Sequence, residues 1–417
     1  MKQLILLAPP KILLQHSVKS WIKSIGHDAI IYSCANKKKE LENHFQNEIE
    51  IHLYQDFSNN SLVELDVYHR ALKLSTPRVA ALAEIDLERA ARLNDKLGVT
   101  QGCSQRIIYF RDKYKMKSLA QDNGALIPAM SRVHNAIELA IFIEQYGYPV
   151  VIKPCDGRGS NGVEILSNEG QLKAYLLRAK TTKFFNLMVE QFVQGEHYQV
   201  NGLIINANPV VISTSKALVS CLDFLSGAVF GLQMVDPNSS LAKKIKAYTE
   251  WLIFDVLPSE KTFLFHLEIF VTKDGQIILG EIAARLGGCF VNEELKEAWG
   301  LDLRMSYLSA LRNPKQDVPT IDTHKKLVGQ LLVPPQEGVL LAAPETCDLD
   351  YVLKYKLSGS VSQNHTTMSF TNGEIMSAII KGDTENEVKE NLSSLNQWFN
   401  EQSEWESKIN SIKPATR

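Results

Sequence analysis

Short apolar runs alternate with helical stretches through residues 1–110: apolar at 4–8, helical around 18–25, apolar again at 28–33. This rhythm predicts βαβ units in a small open sheet. The first run ends in Pro9-Pro10, where a dinucleotide-binding turn carries Gly-x-Gly. The segment therefore reads mainly as scaffold with part of a substrate wall, not as an ordinary NAD site. A helix is predicted over 112–124, capped by Asp112, with Met116, Leu119 and Ala120 on one face and Gly124 and Pro128 as its stop. A second is predicted over 136–146, with Asn135 as cap, Glu138 reaching back and Gly147-Tyr148-Pro149 as terminator. From 148 the pattern turns to strands at 149–153, 162–166, 187–193, 199–205, 209–214, 263–271 and 277–283. A helical stretch then runs through Leu311. A break at 312–316 opens a last segment with strands and a polar, charged final helix.

Composition narrows the class. The 417 residues hold 45 Lys+Arg against 47 Asp+Glu, so charge supplies no whole-chain drive toward nucleic acid or an anionic membrane. With 45% hydrophobic and 22% charged residues, the chain is neither disordered, collagenous nor a coiled coil. Cysteines 34, 103, 155, 221, 289 and 347 form no CxxC or Cys/His cluster, which argues against structural zinc and fits a reducing compartment. No run approaches a membrane span, and the apolar start is too short for a signal peptide. A cytoplasmic protein is expected.

Three segments carry candidate chemistry. In 150–163, Gly157, Gly159 and Gly162 match GxGxxG, but Val163-Glu164-Ile165-Leu166 reads as a strand, not the helix a dinucleotide fingerprint needs. Strand, Gly-rich loop and returning strand can fold backbone N–H groups over phosphates as a lid. Lys153, at the end of an apolar strand, needs an anionic partner. Alone, this reads equally as a surface loop with a snorkelling lysine. In 190–196, a strand end with free backbone groups can read an adenine edge, and Glu196 can accept ribose hydroxyls; a plain strand turn is the other reading.

The third segment is sharper. Asp274-Gly275 between alternating apolar residues predicts a hairpin with a two-residue type I′ turn. That register pairs Lys273 with Gln276 and sets Glu268 opposite Glu281, with His266 on the same face opposite Ala283. Facing carboxylates repel. A divalent cation held by two carboxylates, with water and phosphate completing its shell, resolves the conflict in the manner of Mg²⁺ sites. A longer turn would shift the register and separate the acids. Beyond lies Arg285-Leu286-Gly287-Gly288. Arg285 suits a substrate carboxylate or a developing oxyanion, with a structural salt bridge as the alternative. Lys113 is a further cation candidate.

In this order, Lys113, Ile152-Lys153-Pro154, the Gly-rich loop, Glu190-Gln191-Phe192-Val193, His266-Leu267-Glu268 and the 280–288 stretch resemble the ATP-grasp superfamily over roughly residues 1–390. Within it they look most like carboxylate–amine ligases of the bacilysin-type L-amino-acid (dipeptide) ligase kind. The resemblance implies an α/β (α+β) fold: an N-terminal Rossmann-like domain (1–110), a two-lobed ATP-grasp domain (111–314, lid near 154–163) and a closing C-terminal domain (315–417). It implies ATP, with Mg²⁺ or alternatively Mn²⁺. Lys113 and Lys153, with Gly159 and Ser160 of the lid, then contact the nucleotide; Glu190, Gln191, Phe192 and Val193 read adenine, and Glu196 holds ribose. Glu268 and Glu281 hold the metal, Arg285 stabilises the acyl centre, and His266, Gly287 and Gly288 border the substrate. Ala283 stands where many ATP-grasp enzymes have an Asn, so phosphates and water must complete the metal shell. The implied partners are a small-molecule carboxylate and amine, with no nucleic acid or membrane, and room for a homodimer. Other ATP-grasp ligases, purine-pathway or carboxylating, and a catalytically inactive ATP-binding module remain alternatives.

Overall fold

The structure is a computed structural model that describes residues 1–100, 102–179, 184–321, 323–368 and 373–407. The end of the expected C-terminal domain, 408–417, lies outside the described residues.

Four strands, β1 (Gln3–Leu7), β2 (Ile30–Cys34), β3 (Glu50–Tyr54) and β4 (Pro77–Ala81), form a parallel sheet in the order β3-β2-β1-β4. Parallel strands covered on both faces are apolar throughout. Accordingly Leu4 and Leu6 pack into one core cluster and Ile5 and Leu7 into another. Pro10 opens a short helix, Pro10–Leu13, where its missing N–H costs nothing.

Helix Lys113–Asp122 is capped by Asp112, whose side chain accepts the Lys115 N–H at 3.0 Å. Strands β5 (Met130–Val133), β6 (Val150–Pro154), β7 (Glu164–Leu166) and β8 (Leu187–Gln191) form an antiparallel sheet ordered β5-β8-β6-β7. Helix Ala136–Tyr146 packs on it through Leu139, Phe142 and Ile143. Asn135 caps that helix as expected, but Glu138 reaches one residue further back, to the His134 N–H at 2.8 Å. The Gly-rich loop does connect two paired antiparallel strands, β6 and β7.

The largest sheet has eight antiparallel strands. It runs β13 (Ile277–Ala283), β12 (Phe263–Val271), β9 (Glu196–Ile205), β10 (Asn208–Ala217), β11 (Phe230–Met234), β14 (Leu327–Val333), β18 (Met376–Gly382), β16 (Val352–Leu357). It is continuous across residue 314, since β11 pairs with β14 through Phe230 and Leu332. Helix Glu385–Gln402 covers its far end through Val388, Leu392, Leu395 and Phe399. Strands β15 (Gly338–Ala342), β17 (Asn364–His365) and β19 (Glu404–Ser407) make a small sheet ordered β17-β15-β19.

One local expectation is corrected. The β12–β13 hairpin does not close on a two-residue turn: its last pair is Val271 with Ile277, leaving five residues, 272–276, in the loop. Thr272 accounts for this. Its Oγ1 accepts the Gln276 N–H at 3.0 Å and its carbonyl the Gly275 N–H at 2.8 Å, with Gly275 at φ +78°. A local side-chain hydrogen bond thus replaces the Lys273–Gln276 pairing.

Candidate active site

A cavity of about 1390 Å³ lies between the sheets and draws its walls from all parts of the chain. Its floor is the end of β12 and β13. The longer turn sets their first pairs one residue out of step, which alone would turn Glu281 to the opposite face from Glu268. A bulge between Ile269–Leu279 and Glu268–Glu281 restores the expected pairing, and His266 faces Ala283. Gly280 is the extra residue; a Cβ there would lie 2.7 Å from the Glu268 carbonyl oxygen.

Each carboxylate has a basic neighbour. Lys113 Nζ is 3.0 Å from Glu281 Oε2 and donates to the Gly157 carbonyl at 2.6 Å. Glu268 lies between imidazoles, 3.2 Å from His266 Nε2 and 3.3 Å from His197 Nε2. Burial alone would raise the Glu268 pKa, but the two imidazoles hold it well below the usual carboxylate range. His266 is fixed from behind by Asn201, whose Oδ1 lies 2.9 Å from Nδ1 and also accepts the Gly287 N–H at 2.8 Å. Gly287 is needed there, since a Cβ would sit 3.0 Å from His266 Nδ1. Gly288 lines the same wall.

Lys153 is buried at the end of β6, and its anionic partner is Glu190 of β8. Glu190 also accepts from Lys117 at 2.6 Å, a fully buried lysine one turn beyond Lys113 on the same helix. Burial pushes the Glu190 carboxyl up, but the charges of Lys117 and Lys153 outweigh it and bring it down to about 2. Burial lowers Lys117 to about 8, only partly offset by Glu190. For Lys153 burial acts downward too, yet Glu190 and Glu281 hold its pKa above the ordinary value.

The hinge leaves the sheet after Gln191. The N–H groups of Gln191 and Phe192 are spent on the Ala129 and Pro149 carbonyls, at 2.9 and 3.1 Å, and Glu190 is paired within the sheet. Among the described residues, Val193 is the hinge residue whose N–H makes no hydrogen bond within the chain. Glu196 opens β9 on the cavity rim, held by Lys216 and by the Tyr198 hydroxyl at 2.8 Å. Gly157, Gly159 and Ser160 of the loop lie over the opposite rim.

Arg285 also faces the cavity, but its guanidinium is gripped by Glu84, with Nε 3.0 Å from Oε2. Glu84 stands just past β4 and pairs with Arg111 as well. Burial pushes its carboxyl up, and Arg285, Arg111 and Lys113 more than reverse that. Cys289 also lines the cavity, and burial pushes its thiol up to about 12, away from the thiolate form.

Sequence reading missed Lys117, Glu84, Asn201 and His197. Lys117 carried a signal: it follows Lys113 by four residues, hence on the same helical face, beside apolar Met116 and Ala120. Asn201, a lone amide in an apolar strand, carried another. Glu84 and His197 had none, because only the fold brings them to this place.

An ATP-grasp domain is matched over residues 146–293. The L-arginine-specific L-amino acid ligase of Bacillus subtilis is 22% identical over 259 residues, 60% of each chain. Cyanophycin synthetase of Synechocystis sp. is 32% identical over 120 residues, 28% of this chain and 13% of that protein. The matched regions thus span 60% of the first relative's length and 13% of the second's. The crystal structure of an L-amino acid ligase from Bacillus licheniformis superposes with a TM-score of 0.78 at 16% identity, covering 98% of this chain and 99% of the other. Residues 146–293 thus form an ATP-grasp domain, and the chain has the α/β architecture expected from its sequence. Beyond that domain its likeness extends to these L-amino acid ligases.

Proposed function

We propose that this protein is an ATP-dependent ligase joining a carboxylate, an amino acid in the simplest case, to an amine. The observation that carries the reading is the opposed pair Glu268 and Glu281, which opens into one cavity with Lys113, Lys153 and Arg285. The likeness to L-amino acid ligases supports the same class.

In the proposed first step a carboxylate oxygen of the donor attacks the γ-phosphorus of ATP. The bond to the bridging oxygen breaks, and ADP leaves with that electron pair. In the second, an amine attacks the acyl phosphate, phosphate departs, and the amine loses a proton, giving an amide. Phosphoryl transfer asks the protein chiefly for positioning and charge neutralisation. Lys113 and Lys153 would turn from their carboxylates to the phosphates, with Gly159 and Ser160 closing over them. Val193 reads adenine through its N–H, and Glu196 holds ribose. Arg285, fixed by Glu84, faces the acyl oxygen.

Two opposed carboxylates with space for water and phosphate oxygens suit Mg²⁺. Among the described residues no third Asp, Glu, His or Cys joins them in a metal-binding group, so phosphate and water must complete the shell. A bound Mg²⁺ would neutralise charge on the transferring phosphate.

The test replaces the amine with hydroxylamine and supplies Mg-ATP and amino-acid donors. An acyl hydroxamate, formed with one ADP per product, is expected. ADP release without hydroxamate for any carboxylate, or release only with bicarbonate, would overturn the reading in favour of another ATP-grasp chemistry.

A further inference from the structure

Arg304 is the second residue of helix Leu303–Arg312, is only 6% exposed, and lines the cavity. Its Nη1 donates to Gln15 Oε1 at 2.8 Å and lies 3.3 Å from His16 Nε2. A guanidinium only donates, so His16 Nε2 must carry a lone pair. The ring proton then sits on Nδ1, 3.3 Å from Asp302 Oδ2. His16 is therefore neutral, and burial lowers its pKa in the same sense.

Both direct partners of this guanidinium are uncharged. Among the described residues no carboxylate oxygen lies within 4.0 Å of it. The two acids whose charges it feels, Glu293 and Asp302, make their direct contacts with other groups. Asp302 caps the helix through the Met305 N–H and accepts from Asn292; Glu293 Oε1 is 3.3 Å from Lys354 Nζ. The contrast with Arg285, gripped by Glu84, is direct. A buried guanidinium that no carboxylate touches is costly, and arginine cannot escape by losing its proton. An unbalanced guanidinium on a cavity wall is the complement of an anion brought by a ligand, and its planar fork fits a carboxylate.

We propose that Arg304 binds a second carboxylate of the substrate pair, one that is not activated and survives into the product. This rests on the ligase reading, which assigns the carboxylate to be activated to the Glu268–Glu281 end. The surviving group is either the α-carboxylate of an amino-acid acceptor or the side-chain carboxylate of the donor.

The experiment compares the wild type with Arg304→Met and Arg304→Lys. ADP release and product masses are measured with L-amino-acid acceptors against their carboxamides, and with aspartate and glutamate donors against asparagine and glutamine. The wild type should favour the free acid in one arm, which identifies the source. Arg304→Met should reduce that acid-over-amide ratio in kcat/KM by about 10–100-fold, the worth of a charge-assisted hydrogen bond. Arg304→Lys, keeping charge without the fork, should fall between. An unchanged ratio in a folded Arg304→Met variant overturns the proposal. So does an equal loss for acid and amide, which marks a purely structural residue.

A binding arm separates this from the ligase reading. A mixture of the twenty L-amino acids should raise the wild-type melting temperature more than the mixture of their carboxamides, and the difference should vanish in Arg304→Met. If no amide forms with any pair but this difference appears, the ligase reading fails and the carboxylate site stands. If neither mixture discriminates, the site falls whatever the chemistry.

Discussion

Glu268 and Glu281 face each other across β12 and β13 only because Gly280 is bulged out of the ladder. The five-residue turn sets the hairpin one step out of register, and one inserted residue sets it back where the acids stand. Gly280→Ala tests this. Its Cβ would meet the Glu268 backbone at 2.7 and 3.1 Å, which cannot yield as a flexible side chain would. We expect a stability loss on the order of 1–3 kcal/mol. The Mg²⁺ concentration needed for half-maximal turnover should rise as well, by titration beside a urea melt. A variant as stable and metal-sensitive as wild type would show the bulge to be incidental.

Glu281→Gln isolates the charge from the backbone. Opposed acids would repel if bare, but here Lys113 lies 3.0 Å from Glu281 and two imidazoles flank Glu268. Lys113 is buried, and in the variant it keeps the amide oxygen and the Gly157 carbonyl as acceptors, so the loss of the charge alone should cost no more than about 1–3 kcal/mol. Its Mg-dependent turnover should be lost. Unfolding, or normal turnover, would each refute the metal role.

How much of this was legible beforehand depended on distance along the chain. Strands 263–271 and 277–283 and helix 136–146 match the observed bounds, because each is written in local periodicity and turn residues. The Glu268–Glu281 pairing was also legible, but through two compensating departures: the turn is longer than Asp274-Gly275 suggests, and Gly280 absorbs the difference. What makes Lys153 tolerable in its strand was not legible. Glu190 and Lys117 come from separate elements, and the Glu84 grip on Arg285 spans 201 positions. Such pairings depend on how sheets stack, which no local pattern encodes.

The Lys117–Glu190–Lys153 triad should set a pH signature on stability. The Glu190 pKa is about 2, below the ordinary carboxylate value, so its contribution is complete above about 4.5 and is lost as pH falls toward 2. The Lys117 pKa is about 8, below the ordinary 10.5. The native state therefore sheds that proton first, and stability contributed at this site rises between about 8 and 10.5. Glu190→Gln leaves two buried ammonium groups without their anion and should cost about 3–5 kcal/mol. Adding Lys117→Met should recover part of that loss and flatten the alkaline rise. Urea melts from pH 3 to 10 check both; a double variant no more stable than Glu190→Gln would refute the triad.

Glu84 is buried and holds two guanidinium groups, Arg111 and Arg285. Glu84→Gln strands both cations, and a broken buried pair of this kind costs on the order of 3–5 kcal/mol. Arg285→Ala removes one of them and leaves Glu84 paired with Arg111, so it should be the milder change. The two together should be more stable than the sum of the single losses, by about 1 kcal/mol or more in a double-mutant cycle. Activity separates differently. If Arg285 faces the acyl oxygen, Arg285→Ala should cut hydroxamate formation by roughly 10²–10³, the usual worth of one preorganised charge at such a centre. Binding of a non-hydrolysable ATP analogue, followed by calorimetry, should stay near wild type. Loss of that binding would move Arg285 to the nucleotide, and an additive cycle would mean that Glu84 does not position it.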